Sequence, residues 1–195
     1  FIQFDELALE SWLQRSEVQE ADEKFHTAHA RWRKSHGIPY PWANYPGLRY
    51  VLLHTFAHAL MRQLSLECGY SMASLTERIY AREADAAHGP MAGVLISTAA
   101  SDSEGTLGGL VSLGQPQTLE RHIKAALAHM ELCASDPHCA EHGVAMEDGS
   151  LHGACCHACL FAPESSCERN NRYLDRAVLV PTVERSDLAF FGTPA

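Results

Sequence analysis

Six of the seven cysteines lie in the 35 residues from Cys133 to Cys167, where Cys156 and Cys159 make a C-x-x-C and Cys167 follows eight residues later. Thiolates so crowded repel and oxidise unless something holds them. A tetrahedral Zn²⁺ does so with short Zn–S bonds and no redox chemistry of its own. The C-x-x-C can grip one ion from a single turn, and ligands from flanking segments then tie the loops together. The preferred ligand set is Cys139, Cys156, Cys159 and Cys167. CASDPHC and ACCHAC each offer a spare thiol, so Cys133 stands as an alternative to Cys139 and Cys155 to Cys156, with His138, His142, His152 and His157 also near. Disulfides are the competing use of such a count in a secreted chain, whereas ligand-type spacing in a cytoplasmic chain points to metal.

Nothing in FIQFDELALESWLQRSEV supports secretion: acids stand where a signal peptide has a basic start and an unbroken apolar run. The chain opens without Met and reads as a piece of something longer, cytoplasmic in location. Its 195 residues, 46% hydrophobic, suffice for one domain with appendages and a real core. No apolar stretch approaches the roughly 18 residues of a membrane span. A formal charge of −9 argues against a generic nucleic-acid coat, because sequence-independent DNA affinity comes from many Lys and Arg neutralising phosphates.

Hydrophobic patterning predicts a mostly exposed helical stretch over residues 5–34, with Trp12 and Trp32 as docking anchors, and then a Pro-punctuated loop, IPYPWANYPG. LRYVLLHTFAHALMRQLSLECG is apolar all round from Leu48 to Leu66 and stops at Gly69, as a central buried helix with a glycine C-cap would. SLTERIYA and AGVLISTAA read as strands, the second as one buried on both faces, followed by a polar loop, SDSEGTLGG. TLERHIKAALAHMELC reads as an amphipathic helix capped by Thr118 that leads into the cysteine region. ERNNRYLDRAVL reads as a further helix, and LVPTVERSDLAFFGTPA as a tail. The expected fold is α/β or α+β: a small buried sheet, several packed helices and a cysteine-rich zinc-binding insert.

Three other constellations carry chemistry. His54 and His58 lie one helical turn apart in HTFAH and could share a metal, but Thr55 occupies the place of the Glu base in H-E-x-x-H peptidases. Asp102, Glu104, Gly105, Gly108 and Gly109 follow a strand without phosphate-loop spacing and without a Lys. Arg169, Arg172 and Arg176, at i, i+3 and i+7 of the expected last helix, would share a face suited to phosphate or to an acidic protein surface. Asn170 or Asn171, with Asp175, is equally placed to steady the metal loop through hydrogen bonds behind the ligands.

Taken in order, HTFAHAL, SDSEGTLGG and ACCHACLFAPESSCERNNRYLDR resemble the MrfA-like zinc-binding domain. That family is found at the C-terminus of certain superfamily 2 DNA helicases and in DrmB proteins of the DISARM anti-phage system, and the DrmB pattern is the nearer of the two. Where helicase members show G-C-P-S-C, C-G-N-x-N and L-D-K, this chain has Cys156 and Cys159, then Cys167 with Asn170, then Leu174, Asp175 and Arg176. The family's D-x-x-x-G-G-x-G loop is followed only loosely by Asp102 to Gly109. The resemblance covers about residues 48–180. It divides the chain into a helical N-terminal segment and Pro-rich loop (1–47), the zinc-binding domain (48–180) and a tail (181–195). It implies one zinc on Cys139, Cys156, Cys159 and Cys167. It also implies no catalysis by the domain itself and a DrmA-like superfamily 2 helicase as partner, with DNA reached through the complex. No Walker loop or DExx box appears. Two alternatives remain at this point: a metal-dependent nuclease or phosphoesterase using His54, His58, Asp102 and Glu104, and a protein-interaction domain without nucleic-acid contact.

Overall fold

The computed structural model describes residues 1–99, 106–136, 138–144 and 149–192, and among them forms an α+β fold of five α-helices and one three-stranded antiparallel sheet. Its axis is α3, Gly47–Cys68, which is buried on nearly every side from Leu48 to Leu64. A helix apolar all round can satisfy that pattern only at the centre of other elements. It ends where the sequence predicts, on Gly69 in the left-handed region at φ 74°. Its start is capped from a neighbour: Asp22 Oδ1 accepts from Leu48 N at 2.7 Å and from Tyr45 Oη at 2.8 Å.

The sheet has the order β1 (Ile2–Gln3), β3 (Gly93–Thr98), β2 (Leu75–Tyr80), with Leu75 opposite Thr98 and Tyr80 opposite Gly93. β3 is not buried on both faces as expected. Gly93 and Val94 are buried and the residues beyond them are half-buried or exposed, because an antiparallel sheet needs cover on one face only. On β2 the alternation places Leu75, Glu77 and Ile79 inward.

The N-terminal stretch forms two helices, α1 (Glu6–Leu13) and α2 (Ser16–Ser35), and it is docked rather than mostly exposed. Val18, Ala21, Phe25 and Ala28 enter the same core as α3, and Trp12 is buried with Nε1 donating to Leu188 O at 2.8 Å. The tail joins that core too, with Phe191 N donating to Leu179 O and the Phe190 and Phe191 rings against Phe4. Residues 1–47, 48–180 and 181–192 therefore share one hydrophobic interior.

Asp102, Glu104 and Gly105 lie outside the described residues, but Thr106–Leu113 is a helix, α4, so Gly108 and Gly109 are helical rather than part of a phosphate-approaching loop. A Cβ at Gly109 would stand 2.6 Å from Tyr70 Oη, so this glycine serves close packing. α5, Pro116–Glu131, begins two residues before Thr118, with Gln115 at the cap position and Pro116 in the first turn. Proline fits there because its missing N–H has no intrahelical partner to lose. No helix among the described residues is long and apolar enough to cross a membrane.

Candidate metal centre

All seven cysteines are free, which removes the disulfide alternative. Two groups of side chains, among the described residues, bring metal-binding atoms together: Cys133, Cys139, Cys156 and Cys159, and separately His54, His58, Glu77 and Cys167. Three members of the expected quartet thus converge. Cys133 takes the fourth place, while Cys167 belongs to the other group.

In the thiol group the Sγ separations are 3.6 Å for Cys133 and Cys156, and 3.7 Å both for Cys139 and Cys159 and for Cys156 and Cys159. Disulfide sulfurs would be about 2.05 Å apart. The edge of a tetrahedron with Zn–S bonds of about 2.3 Å is about 3.8 Å, so the four sulfurs already outline a zinc-thiolate site. Cys133 comes directly off the end of α5, Cys139 sits in a turn, and Cys156 and Cys159 share one turn in which Cys156 N points at Cys159 Sγ at 3.2 Å. The hydrogen bond with Cys159 holds the Cys139 thiol down to about 5 against the cost of burial, with Arg176 assisting, and the same bond pushes Cys159 up. A pair that holds one proton between two sulfurs is poised to exchange it for a cation.

Cys155 faces away. It is buried, its thiol donates to Leu174 O at 3.6 Å, and burial raises its pKa well above the ordinary value. His138, His142, His152 and His157 belong to neither group. His138 meets Glu141, His142 stacks on His152, and His157 packs edge-on against Phe161.

The segment after Cys167 corrects the expected last helix. Asn170, Asn171 and Tyr173 have φ of 52°, 57° and 62°, and only a short 3-10 turn, Arg176–Val178, follows. Asparagine tolerates the left-handed region, and here the chain uses it to wrap Cys167: Arg169 N and Asn171 N point at its Sγ at 3.4 and 3.2 Å. The arginines therefore share no face. Arg169 is exposed beside the Tyr50 ring, Arg172 lies 4.4 Å over Trp32, and Arg176 is buried.

Leu174-Asp175-Arg176 instead braces both arms of the thiol site. Arg176 Nη1 donates to Met130 O and Glu131 O at 2.8 and 3.1 Å, closing the end of α5 just before Cys133. Asp175 Oδ1 accepts from Ala154 N and Ala177 N, and Asp175 N donates to Thr55 Oγ1, which ties the chain before Cys155 to α3. Asn171 clamps Ala162, accepting from its N–H and donating to its carbonyl. Gly153 leaves room for this brace, since a Cβ there would stand 2.5 Å from Asp175 Cγ. Gly153→Ala is expected to displace Asp175, to cost about 1–3 kcal/mol of stability as overpacking does, and so to lower the thermal midpoint. A melting curve superimposable on that of the parent protein would refute the tight contact.

In the second group His54 Nε2 lies 2.9 Å from Glu77 Oε1 and 3.2 Å from Cys167 Sγ, and His58 Nε2 lies 3.3 Å from the same carboxylate oxygen. All four side chains are buried. Burial disfavours their charged forms, but mutual contact outweighs it: His58 is pushed up to about 10, Glu77 falls to about 2 and Cys167 to about 6. Glu77 went unread in the sequence although period-2 alternation sets it between the inward Leu75 and Ile79.

A family model described as the MrfA Zn-binding domain matches residues 56–160, a span that contains Cys133, Cys139, Cys156 and Cys159 and ends before Cys167. A curated protein, the DISARM protein DrmB of Bacillus paralicheniformis, is 41% identical over 192 residues, which is 98% of this chain and 33% of that protein. The chain thus spans about a third of the length of that relative.

Proposed function

The chain belongs to the MrfA Zn-binding domain family, and from that premise we propose that it is a zinc-stapled, non-catalytic accessory module of a DNA-processing anti-phage defence complex, working beside a DrmA-like superfamily 2 helicase. The observation that carries this reading is the closed quartet of Cys133, Cys139, Cys156 and Cys159. Four thiolates fill a zinc tetrahedron and leave no position for an activated water, so the ion would act as a cross-link between the end of α5, the Cys139 turn and the C-x-x-C turn. The DISARM name of the DrmB relative supports the defence setting.

The hydrolase alternative loses support from burial. A hydrolytic metal needs an open coordination position that substrate can reach, whereas His54 and His58 are 0% exposed and face Glu77 and Cys167. For partners, the net charge of −9 and the enclosure of Arg176 favour a protein surface over direct capture of DNA. Arg169 and Arg172 remain the basic groups available to that partner.

The full-length protein co-expressed with the DrmA-like helicase is expected to co-purify with it, and Arg169→Ala with Arg172→Ala to weaken that association. The isolated protein is expected to cleave no DNA with Mg²⁺, Mn²⁺ or Zn²⁺. Cleavage abolished by His58→Ala would overturn the non-catalytic reading. Single-strand binding that falls with salt and disappears in the double arginine variant would instead assign these arginines to DNA.

A further inference from the structure

We propose that His54, His58, Glu77 and Cys167 form a second metal site, buried in the core and taking a divalent zinc-type ion that joins α3 to β2 and to the turn after Cys167. The four ligand atoms lie within 4.8 Å of one another and come from three separate parts of the chain. The separations of 2.9, 3.2 and 3.3 Å from His54 and His58 are up to about 0.5 Å shorter than the roughly 3.3–3.6 Å edges of a tetrahedron built from Zn–N, Zn–O and Zn–S bonds, so an entering ion would spread the ligands by a few tenths of an ångström.

The histidine orientations carry the argument. His58 Nδ1 meets Leu160 O at 2.8 Å and His54 Nδ1 meets Tyr173 O at 3.2 Å. A carbonyl only accepts, so each Nδ1 bears the proton and each Nε2 turns inward, where it carries a second proton toward Glu77 and Cys167 in the charged ring or offers a lone pair to a cation in the neutral one. In the neutral rings those lone pairs face a carboxylate oxygen and a sulfur, acceptor against acceptor, and a metal cation would take the place that the two ring protons hold in the metal-free protein. Ring protons satisfy the group only in part, since His58 Nε2 and Glu77 Oε2 are buried without a hydrogen-bond partner. A metal would occupy the inward lone pairs while the two backbone carbonyls hold the rings, the outer support that ligating histidines usually have.

The remaining features fit the same ion. The Cys167 sulfur receives two backbone N–H groups, as a ligating thiolate commonly does. Two neutral imidazoles, one carboxylate and one thiolate balance a divalent ion exactly to zero charge, so the complete site can be buried without an uncompensated charge. Imidazole, thiolate and carboxylate in a four-coordinate set select zinc over the harder magnesium and calcium. Four protein ligands make the site structural.

Because the proposal concerns a different set of residues from the thiol quartet, metal analysis with X-ray absorption at the zinc edge, on the full-length protein, tests both separately. Two ions per chain with an average first shell of five sulfurs to three lighter atoms is the expected result, and Cys167→Ala or Glu77→Gln should each halve the count. One ion per chain in an all-sulfur shell would overturn the second site and leave the first intact. One ion in a shell of one sulfur to three lighter atoms would establish the second site and remove the quartet. The absorption spectrum of the unsubstituted protein decides even if a variant fails to fold.

Discussion

Replacing Cys133, Cys139, Cys156 or Cys159 by serine is expected to release the ion held there and to melt the segment from the end of α5 through Phe161. Cys155→Ser is expected to leave the metal in place. The contrast follows from geometry: the first four sulfurs stand 3.6 to 3.7 Å from a neighbour of the same set, whereas Cys155 turns its thiol toward Leu174 O. Between α5 and Leu160 the chain has no regular helix or strand among the described residues. Little ladder hydrogen bonding is available there to replace the cross-link. Metal binding in small structural sites supplies on the order of 10 kcal/mol that doubles as folding free energy, so loss of one thiolate should cost several-fold more than a typical core substitution. Metal content and thermal unfolding measured on the same samples check this. If Cys133→Ser keeps every ion and Cys167→Ser alone empties the thiolate shell, the quartet is misassigned.

Much of the scaffold is legible from periodicity because the relevant signals are local. The all-round apolar run of α3, its stop at Gly69, the two central strands and the body of α5 depend on side chains within a few residues of one another. The zinc region is legible as a region but not ligand by ligand. Cys133 and Cys139 are alternatives on spacing alone, and the structure uses both, since α5 ends where its last turn can deliver Cys133 while the following turn brings in Cys139. Cys167 looks like the natural partner of a C-x-x-C eight residues away. Its turn, however, runs through left-handed Asn170 and Asn171 and aims the sulfur at His54.

The failed helix after Cys167 has the same origin. Arg169, Arg172 and Arg176 have helical spacing, but Asn170, Asn171 and Tyr173 take left-handed φ, and the Asn171 N–H that a helix starting at Glu168 would pair with the Cys167 carbonyl goes to the Cys167 sulfur instead. Local competition of this kind is invisible to a hydrophobic pattern. A single inward charge is not: Glu77 alternates with Leu75 and Ile79, and a carboxylate on a buried strand face requires a partner, which a reading of strand faces would have sought.

Arg176→Met is the second substitution expected to act strongly, and its effect should fall on folding and metal affinity while leaving nucleic-acid binding untouched. The side chain is 1% exposed, so it has no surface on which to meet phosphate. Its guanidinium holds the Met130 and Glu131 carbonyls, which the end of α5 leaves without intrahelical donors, and it lies close enough to stabilise the Cys139 thiolate. Methionine preserves much of the volume but abandons two carbonyls and the charge that faces Asp175, a loss of the class that costs about 3–5 kcal/mol when a buried charge is left without its partner. The α5 terminus then loosens its grip on Cys133. Chelator competition should show zinc held about 10- to 100-fold more weakly, the usual range when a group supporting a ligand is removed. Arg176→Lys keeps the charge without the planar fork and should fall between the two. A methionine variant that melts and holds zinc like the parent protein would refute the bracing role, and with it the structural reason for an arginine after Asp175.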